Sequence, residues 1–143
     1  MIRASSVWLG PAWAAGLFAI IAAGSAQAIT WQTLDFPGAV FGTFPSGIDG
    51  NRIVGSYSDG DGLFHGFLYE DGNWTTIDYP GSYHSFAIDV DGDTIVGGYT
   101  NFGTGQRGFL FDGTSFLPFD FPGSFATLAE GIEHCRGRIK LNI

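Results

Sequence analysis

Asp89, Asp91 and Asp93 alternate along one short stretch, as carboxylates do in calcium loops, where hard oxygen ligands converge on a single ion. The parallel with a helix-loop-helix calcium site stops there. Such a loop wants glycine at its sixth position and glutamate at its twelfth, where this chain has Thr94 and Thr100. His65, His84 and His134 occupy different strand or turn contexts, with no Cys or carboxylate at metal-ligand spacing, and read as structural or surface histidines. Two acids brought together by a fold suffice for glycoside hydrolysis, yet no spacing here singles out a pair. Trp31, Trp74, Phe102 and Tyr83 offer flat faces on which sugar rings stack, beside polar turns that supply hydrogen bonds. Their recurrence at equivalent positions points first to a core. No catalytic, cofactor or metal-binding set is expected, and the chain reads as a non-enzyme.

The elements that would carry these side chains come as repeats. Asp35-Phe36-Pro37-Gly38, Asp78-Tyr79-Pro80-Gly81 and Asp120-Phe121-Pro122-Gly123 stand 43 and 42 residues apart. Flanking stretches keep the same offset: Ile53-Val54-Gly55-Ser56-Tyr57 matches Ile95-Val96-Gly97-Gly98-Tyr99, and His65-Gly66-Phe67-Leu68-Tyr69 matches Arg107-Gly108-Phe109-Leu110-Phe111. A period of about 40 to 45 residues is the size of one four-stranded propeller blade, a unit that stacks on its neighbours. In the motif, Pro and Gly fit the two central positions of a type II turn, and the Asp can accept from nearby backbone amides. Asp35, Pro37, Gly38, Asp78, Pro80, Gly81, Asp120, Pro122 and Gly123 are therefore expected to be structural.

Within a unit, turn residues mark four short strands. In the second they are Phe86 to Asp89, Thr94 to Tyr99, Arg107 to Phe111 and Phe116 to Asp120, with Asp112-Gly113 expected as a type I′ hairpin turn. Paired apolar residues such as Ile95-Val96 and Phe109-Leu110 put oily side chains on both faces of a strand, so those strands must be covered twice. Pro118 cannot donate to a ladder and places the fourth strand at an edge. Mid-strand glycines Gly55, Gly66, Gly97 and Gly108 predict close approach of a neighbouring sheet or ring. The expected fold is all-β: tandem four-stranded antiparallel repeats in a partial, propeller-like array of two full blades plus partial ones. One strand is counted at the N-terminus, eight in the full units and two in the tail.

Arg3, the apolar run Val7 to Ala23 and the small-x-small site Ala26-Gln27-Ala28 predict a signal peptide over 1–28, with a β-repeat domain over 29–143. Its units span about 39–81 and 82–123, with a partial third over 124–143. Gly10, Pro11 and Gly16 interrupt the apolar run, which falls short of the ~20 residues of a spanning helix, so no stable membrane anchor is expected after cleavage. The expected location is secreted, extracellular or periplasmic. The formal charge is −8, and Arg52 and Arg107 are the only Lys or Arg between Ile29 and His134, which argues against nucleic acid as a partner. Cys135 is the sole cysteine, so packing rather than an intrachain disulfide must hold the fold.

The sequence Ile-Val-Gly-x-Tyr, a Gly-containing loop, then His65-Gly66-Phe67-Leu68-Tyr69 and the strand leading into Asp-aromatic-Pro-Gly resembles the bacterial extracellular repeat family named for its His-Ala-Phe motif, across roughly residues 31 to 133. Gly66 stands where that motif has Ala, and Arg107 where it has His. The resemblance implies an exported, propeller-like protein and supplies no catalytic residues. In the tail, Gly131-Ile132 starts a third unit in register, but Lys140-Leu141-Asn142 replaces the Val-Gly-Gly expected there, as in a truncated repeat. The functional expectation is a structural or binding role, through self-association or pairing with other β-repeats. The alternatives are a carbohydrate-binding module with a glycan ligand, or a fragment of a propeller-type hydrolase or lyase.

Overall fold

The computed structural model describes residues 32–133 and 138–142. The leader over 1–28, Trp31, His134 and Cys135 lie outside them. The described residues form ten strands and no helix. Strands β1 (Gly42–Asp49), β2 (Arg52–Ser58), β3 (Phe64–Glu70) and β4 (Asn73–Ile77) make one four-stranded sheet in chain order. Strands β5 (His84–Asp91), β6 (Thr94–Thr100), β7 (Gln106–Phe111) and β8 (Phe116–Phe119) make a second, and β9 (Leu128–Glu133) with β10 (Arg138–Asn142) a two-stranded third. All pairs are antiparallel. Gln32 to Phe36 forms no strand. The sequence pattern there matches a fourth strand, but a fourth strand needs a third to pair with, and none of the described residues supplies it.

The repeat is visible in the registers. Val54 opposes Leu68 in the first sheet and Val96 opposes Leu110 in the second; Gly55 opposes Phe67 and Gly97 opposes Phe109. A bulge skips one residue of the first strand in every unit: Ser46, Ile88 and Glu130, each 42 residues from the last. Bulges bend a strand and increase its twist, so the same bend recurs in each sheet. The Ser46 hydroxyl uses its position to donate to the Ala87 carbonyl of the next sheet at 2.7 Å.

The sheets pack face to face in sequence. β5 lies against β1, β2 and β3, and β9 lies against β5, β6 and β7. Val54 and Ile77 of the first sheet share one buried cluster with Ala87, Val90, Ile95, Tyr99 and Phe109 of the second. Strand β6 is buried on both faces from Ile95 to Tyr99, as its uninterrupted apolar run requires. Pro118 sits in β8, at the edge of its sheet, where its missing N–H costs no ladder bond.

Turn chemistry follows the sequence with one correction. In all three Asp-aromatic-Pro-Gly segments the residue after Gly donates its N–H to the aromatic's carbonyl, at 3.0, 3.0 and 3.1 Å, and the glycines have φ of +121°, +77° and +86°. These are type II turns, with Pro and Gly at the centre. Gly81→Ala should cost about 1 kcal/mol, since a Cβ there finds open space but positive φ. Urea unfolding measures this. Asp112-Gly113 is not a type I′ turn: Gly113 has φ +89° and Asp112 does not have positive φ. Four residues separate β7 from β8, and the Asp112 carboxylate caps the amides of Thr114 and Ser115 at 2.9 and 2.7 Å instead. The type I′ geometry occurs at Asp71-Gly72, with φ of +50° and +84°, between paired Glu70 and Asn73.

Candidate functional site

The first two repeat motifs hold the seams between units. In each, the aromatic of Asp-aromatic-Pro-Gly leaves its own unit and stacks on the tyrosine that ends Ile-Val-Gly-x-Tyr in the next, whereas Phe121 of the third motif is exposed. Phe36 lies on Tyr57 at 3.7 Å and 7°, and Tyr79 lies on Tyr99 at 3.8 Å and 10°. Each also meets the aromatic that opens the following fourth strand edge-on: Phe36 with Trp74 at 5.3 Å and Tyr79 with Phe116 at 5.6 Å. Burial and a hydrogen bond with Tyr79 raise the Tyr99 phenol above its usual pKa. Aromatic pairs of this geometry contribute beyond the area they bury.

A hydroxyl locks each turn from behind. Thr43, Ser85 and Thr127 accept the backbone N–H of Phe36, Tyr79 and Phe121 at 2.9, 3.0 and 2.9 Å. These hydroxyls are 42 residues apart, a signal present in the sequence but hidden by the Thr/Ser exchange. Ser85 and Thr127 are buried, so their bonds are shielded from water.

The motif Asp residues pair with the first residue of His-Gly-Phe-Leu or Arg-Gly-Phe-Leu. The Asp78 carboxylate meets His65 Nδ1 at 2.7 Å and accepts the Gly66 N–H at 3.2 Å. Asp120 pairs with Arg107 and accepts the Thr127 hydroxyl at 3.2 Å. Among the described residues Asp35 pairs with no cation, because the third strand that would carry one is not among them. His and Arg thus play one structural part, which explains how Arg107 can stand in the histidine's place.

His65 also reaches Asp59, Nε2 to Oδ2 at 3.2 Å, and Asp59 in turn accepts the N–H groups of Asp61 and Leu63 in the β2–β3 loop. The imidazole stacks on Tyr57 at 5.1 Å. Burial alone would lower the His65 pKa, but hydrogen bonds to Asp78 and Asp59 together with their charges outweigh it and leave it raised above 6.5. The Leu63 amide bond, ahead of the His65 contact, pulls Asp59 below its ordinary value. A raised histidine pKa gives stability that is complete below the unfolded value and lost as pH rises through the folded one. The urea midpoint should therefore fall as pH climbs above about 6.5, and His65→Arg, copying the second unit, should flatten that decline.

The alternating acids do not gather round a common centre. Asp93 pairs with Arg52 at 2.9 Å. Asp89 accepts the N–H groups of Val90 and Ile132, both at 3.0 Å, and so ties β5 to β9. Asp49 accepts the Gly92 N–H at 2.8 Å, tying the first unit to the second. Asp49, Asp89 and Asp91 line one polar hollow with Ile48, Val90 and Ile132. Among the described residues no group of three His, Cys, Asp or Glu is arranged to hold a metal ion.

Of the four aromatics that could stack on sugars, Trp74 is half-buried among Phe36, Phe67 and Tyr69. Trp31 lies outside the described residues. Tyr83 and Phe102 do meet, edge to face at 5.8 Å and 87°, and both are exposed, Phe102 at 89%. Tyr83 adjoins His84, whose Nδ1 accepts the Phe64 N–H at 3.0 Å and so leaves its proton on Nε2. Phe64 continues the line to Phe44 and Phe86. An aromatic strip therefore crosses the seam between the two units.

Comparison with family models, curated proteins and solved structures finds no match to this chain. No helix of the described residues is long and apolar enough to cross a membrane.

Proposed function

We propose that this chain is an exported, non-enzymatic repeat protein with a structural or binding role. One observation carries this reading: the side chains best suited to chemistry are already occupied in joining strands and units. Asp78, Asp120, His65 and Arg107 fasten the repeat turns, and Asp49, Asp89 and Arg52 fasten one unit to the next. Groups held this way serve rigidity. Export rests on the leader pattern over 1–28 and on the family resemblance, and a location outside the cytoplasm suits a domain built without a disulfide framework only if packing is continuous from sheet to sheet, as it is here.

A carbohydrate-binding role is the second reading, favoured by the exposed Tyr83–Phe102 pair at the end of the aromatic strip. A glycan array read alongside a melting scan with and without calcium separates the two. The scaffold reading expects no glycan signal and an unchanged midpoint. Glycan binding abolished by Phe102→Ala would replace it with the second.

A further inference from the structure

The first sheet repeats a surface that is covered in both later units. Pro45, Ile48 and Ile53 correspond, at an offset of 42, to Ala87, Val90 and Ile95 of the second unit. Those three share one buried cluster with Val54 and Ile77 of the first sheet, and Val90 is only 4% exposed. In the third unit the same places fall to Ala129, Ile132 and Ile139, with Ala129 fully buried where β9 lies on the second sheet. Ile48, by contrast, is 68% exposed, and Pro45 is exposed beside it. With Leu34 and Ile53 they line an apolar groove, the kind of surface that marks an interaction site.

The two seams within the chain show what covers such a face. In each it is the opposite face of the preceding sheet, with a fully buried valine on it: Val54 toward the second unit, and Val96, on the other side of β6 from Ile95, toward β9. Each seam also has one polar tether at or beside the bulge. The Ser46 hydroxyl donates to the Ala87 carbonyl at 2.7 Å in the first, and Asp89 accepts the Ile132 N–H at 3.0 Å in the second. Pro45 holds the place of Ala87 and Ile48 that of Ile132, so a hydroxyl or carboxylate on a covering sheet meets the same backbone positions there. The third sheet of a second copy does not offer this face: Lys140 stands where Val54 and Val96 pack, and it pairs with Glu133 at 3.4 Å.

We infer that the β1–β2 face is a docking site for a sheet of the same repeat carried by another polypeptide, with a β-branched apolar residue in the place of Val54 and Val96 and a hydroxyl or carboxylate at or beside its bulge. The contact continues the stack that the chain already makes twice. Burial of Ile48, Pro45 and Ile53 drives it, and the tether at the bulge sets its register. This names the partner for the binding role proposed above and rests on that reading.

A probe chain tests this: the same sequence through Gly123, followed by a second copy of residues 82–123 in place of 124–143, so that its last sheet turns a Val96 face outward. Ile48→Asp in the probe keeps it from binding itself. Mixed with the whole native chain, the probe should give a one-to-one complex by light scattering, while each alone stays monomeric. Ile48→Asp in the native chain should weaken the complex at least about tenfold, since a charge would be seated in an apolar contact, and Val96→Lys in the added copy should do the same. Leu117→Asp, at an exposed side chain of β8, should leave it unchanged. No complex with a probe that melts cooperatively overturns the proposal and leaves the scaffold reading standing, which a glycan signal would sink instead. A complex that survives Ile48→Asp places the contact elsewhere, and a native chain that dimerises through Ile48 makes a second copy the occupant; either result overturns the proposal. Should the probe not fold, a second chain, with a copy of residues 82–123 inserted between Gly38 and Ala39, reads the same contact without association. Its thermal midpoint should exceed that of the native chain, and Ile48→Asp, nearly neutral in the native chain, should lower it by several degrees. An unchanged midpoint there also overturns the proposal.

Discussion

Phe109→Ala is expected to destabilise the domain by about 3–5 kcal/mol, the range for removing a fully buried phenylalanine. Phe109 has no exposed surface. Its ring meets Phe116 of its own unit at 5.2 Å and Tyr79, from the preceding motif, at 6.3 Å. The cluster that holds it includes Val54 and Ile77 of the first sheet. A hole there weakens both sheets, so urea unfolding should show one earlier transition rather than loss of the second sheet alone. Against a total stability of about 5–15 kcal/mol for a domain of this kind, the loss takes at least a fifth of the margin and lowers the melting temperature accordingly. Leu117→Ala, on the exposed side of β8, should stay within about 0.5 kcal/mol of wild type.

Gly97→Ala, a single added methyl, is expected to cost about 3 kcal/mol, at the upper end of ordinary overpacking. A Cβ at Gly97 would sit 2.2 Å from the Phe86 carbonyl oxygen and 2.6 Å from the Phe109 ring. The ring is packed among Tyr79 and Phe116, and the carbonyl belongs to the backbone of β5, so neither can withdraw without moving a neighbouring element. Gly55 in the first unit meets the equivalent pair, the Phe44 carbonyl at 2.2 Å and the Phe67 ring at 2.8 Å, and Gly55→Ala should behave alike. Thermal melting of the two variants measures the effect, and a shift of only a degree or two would contradict the close approach.

Much of this architecture was legible because the repeats carry it openly. Three copies of Asp-aromatic-Pro-Gly announce both the period and the turn type, since Pro and Gly have few other reasons to stand side by side after an aromatic. The mid-strand glycines announce crowding, and Gly66, whose added Cβ would meet the Ile77 carbonyl at 2.4 Å and the Ala87 N at 3.1 Å, touches the adjacent sheet as expected. What the sequence hid were relations between unlike residues. Arg107 looks like a departure from His65, and only the shared bond to Asp120 or Asp78 reveals one role. Thr43, Ser85 and Thr127 look unrelated until each is found behind the same turn. Asp112-Gly113 misled because a two-residue signature says nothing about the two residues that follow, and Thr114 with Ser115 lengthened the loop. The acids 89, 91 and 93 look like a set in one dimension, but the strand turns after Asp91 and Arg52 draws Asp93 away.

The motif aromatic of one unit packs into the next, Phe36 on Tyr57 and Tyr79 on Tyr99, and so joins the two four-stranded sheets into a single body. A double-mutant cycle on Tyr79 and Tyr99 measures that contact, from the unfolding free energies of Tyr79→Ala, Tyr99→Ala and the double variant. Stacked at 3.8 Å, the pair should show a coupling of about 0.5–1.5 kcal/mol. Strictly additive losses would mean that the two rings do not touch and that the units do not stack through their motifs.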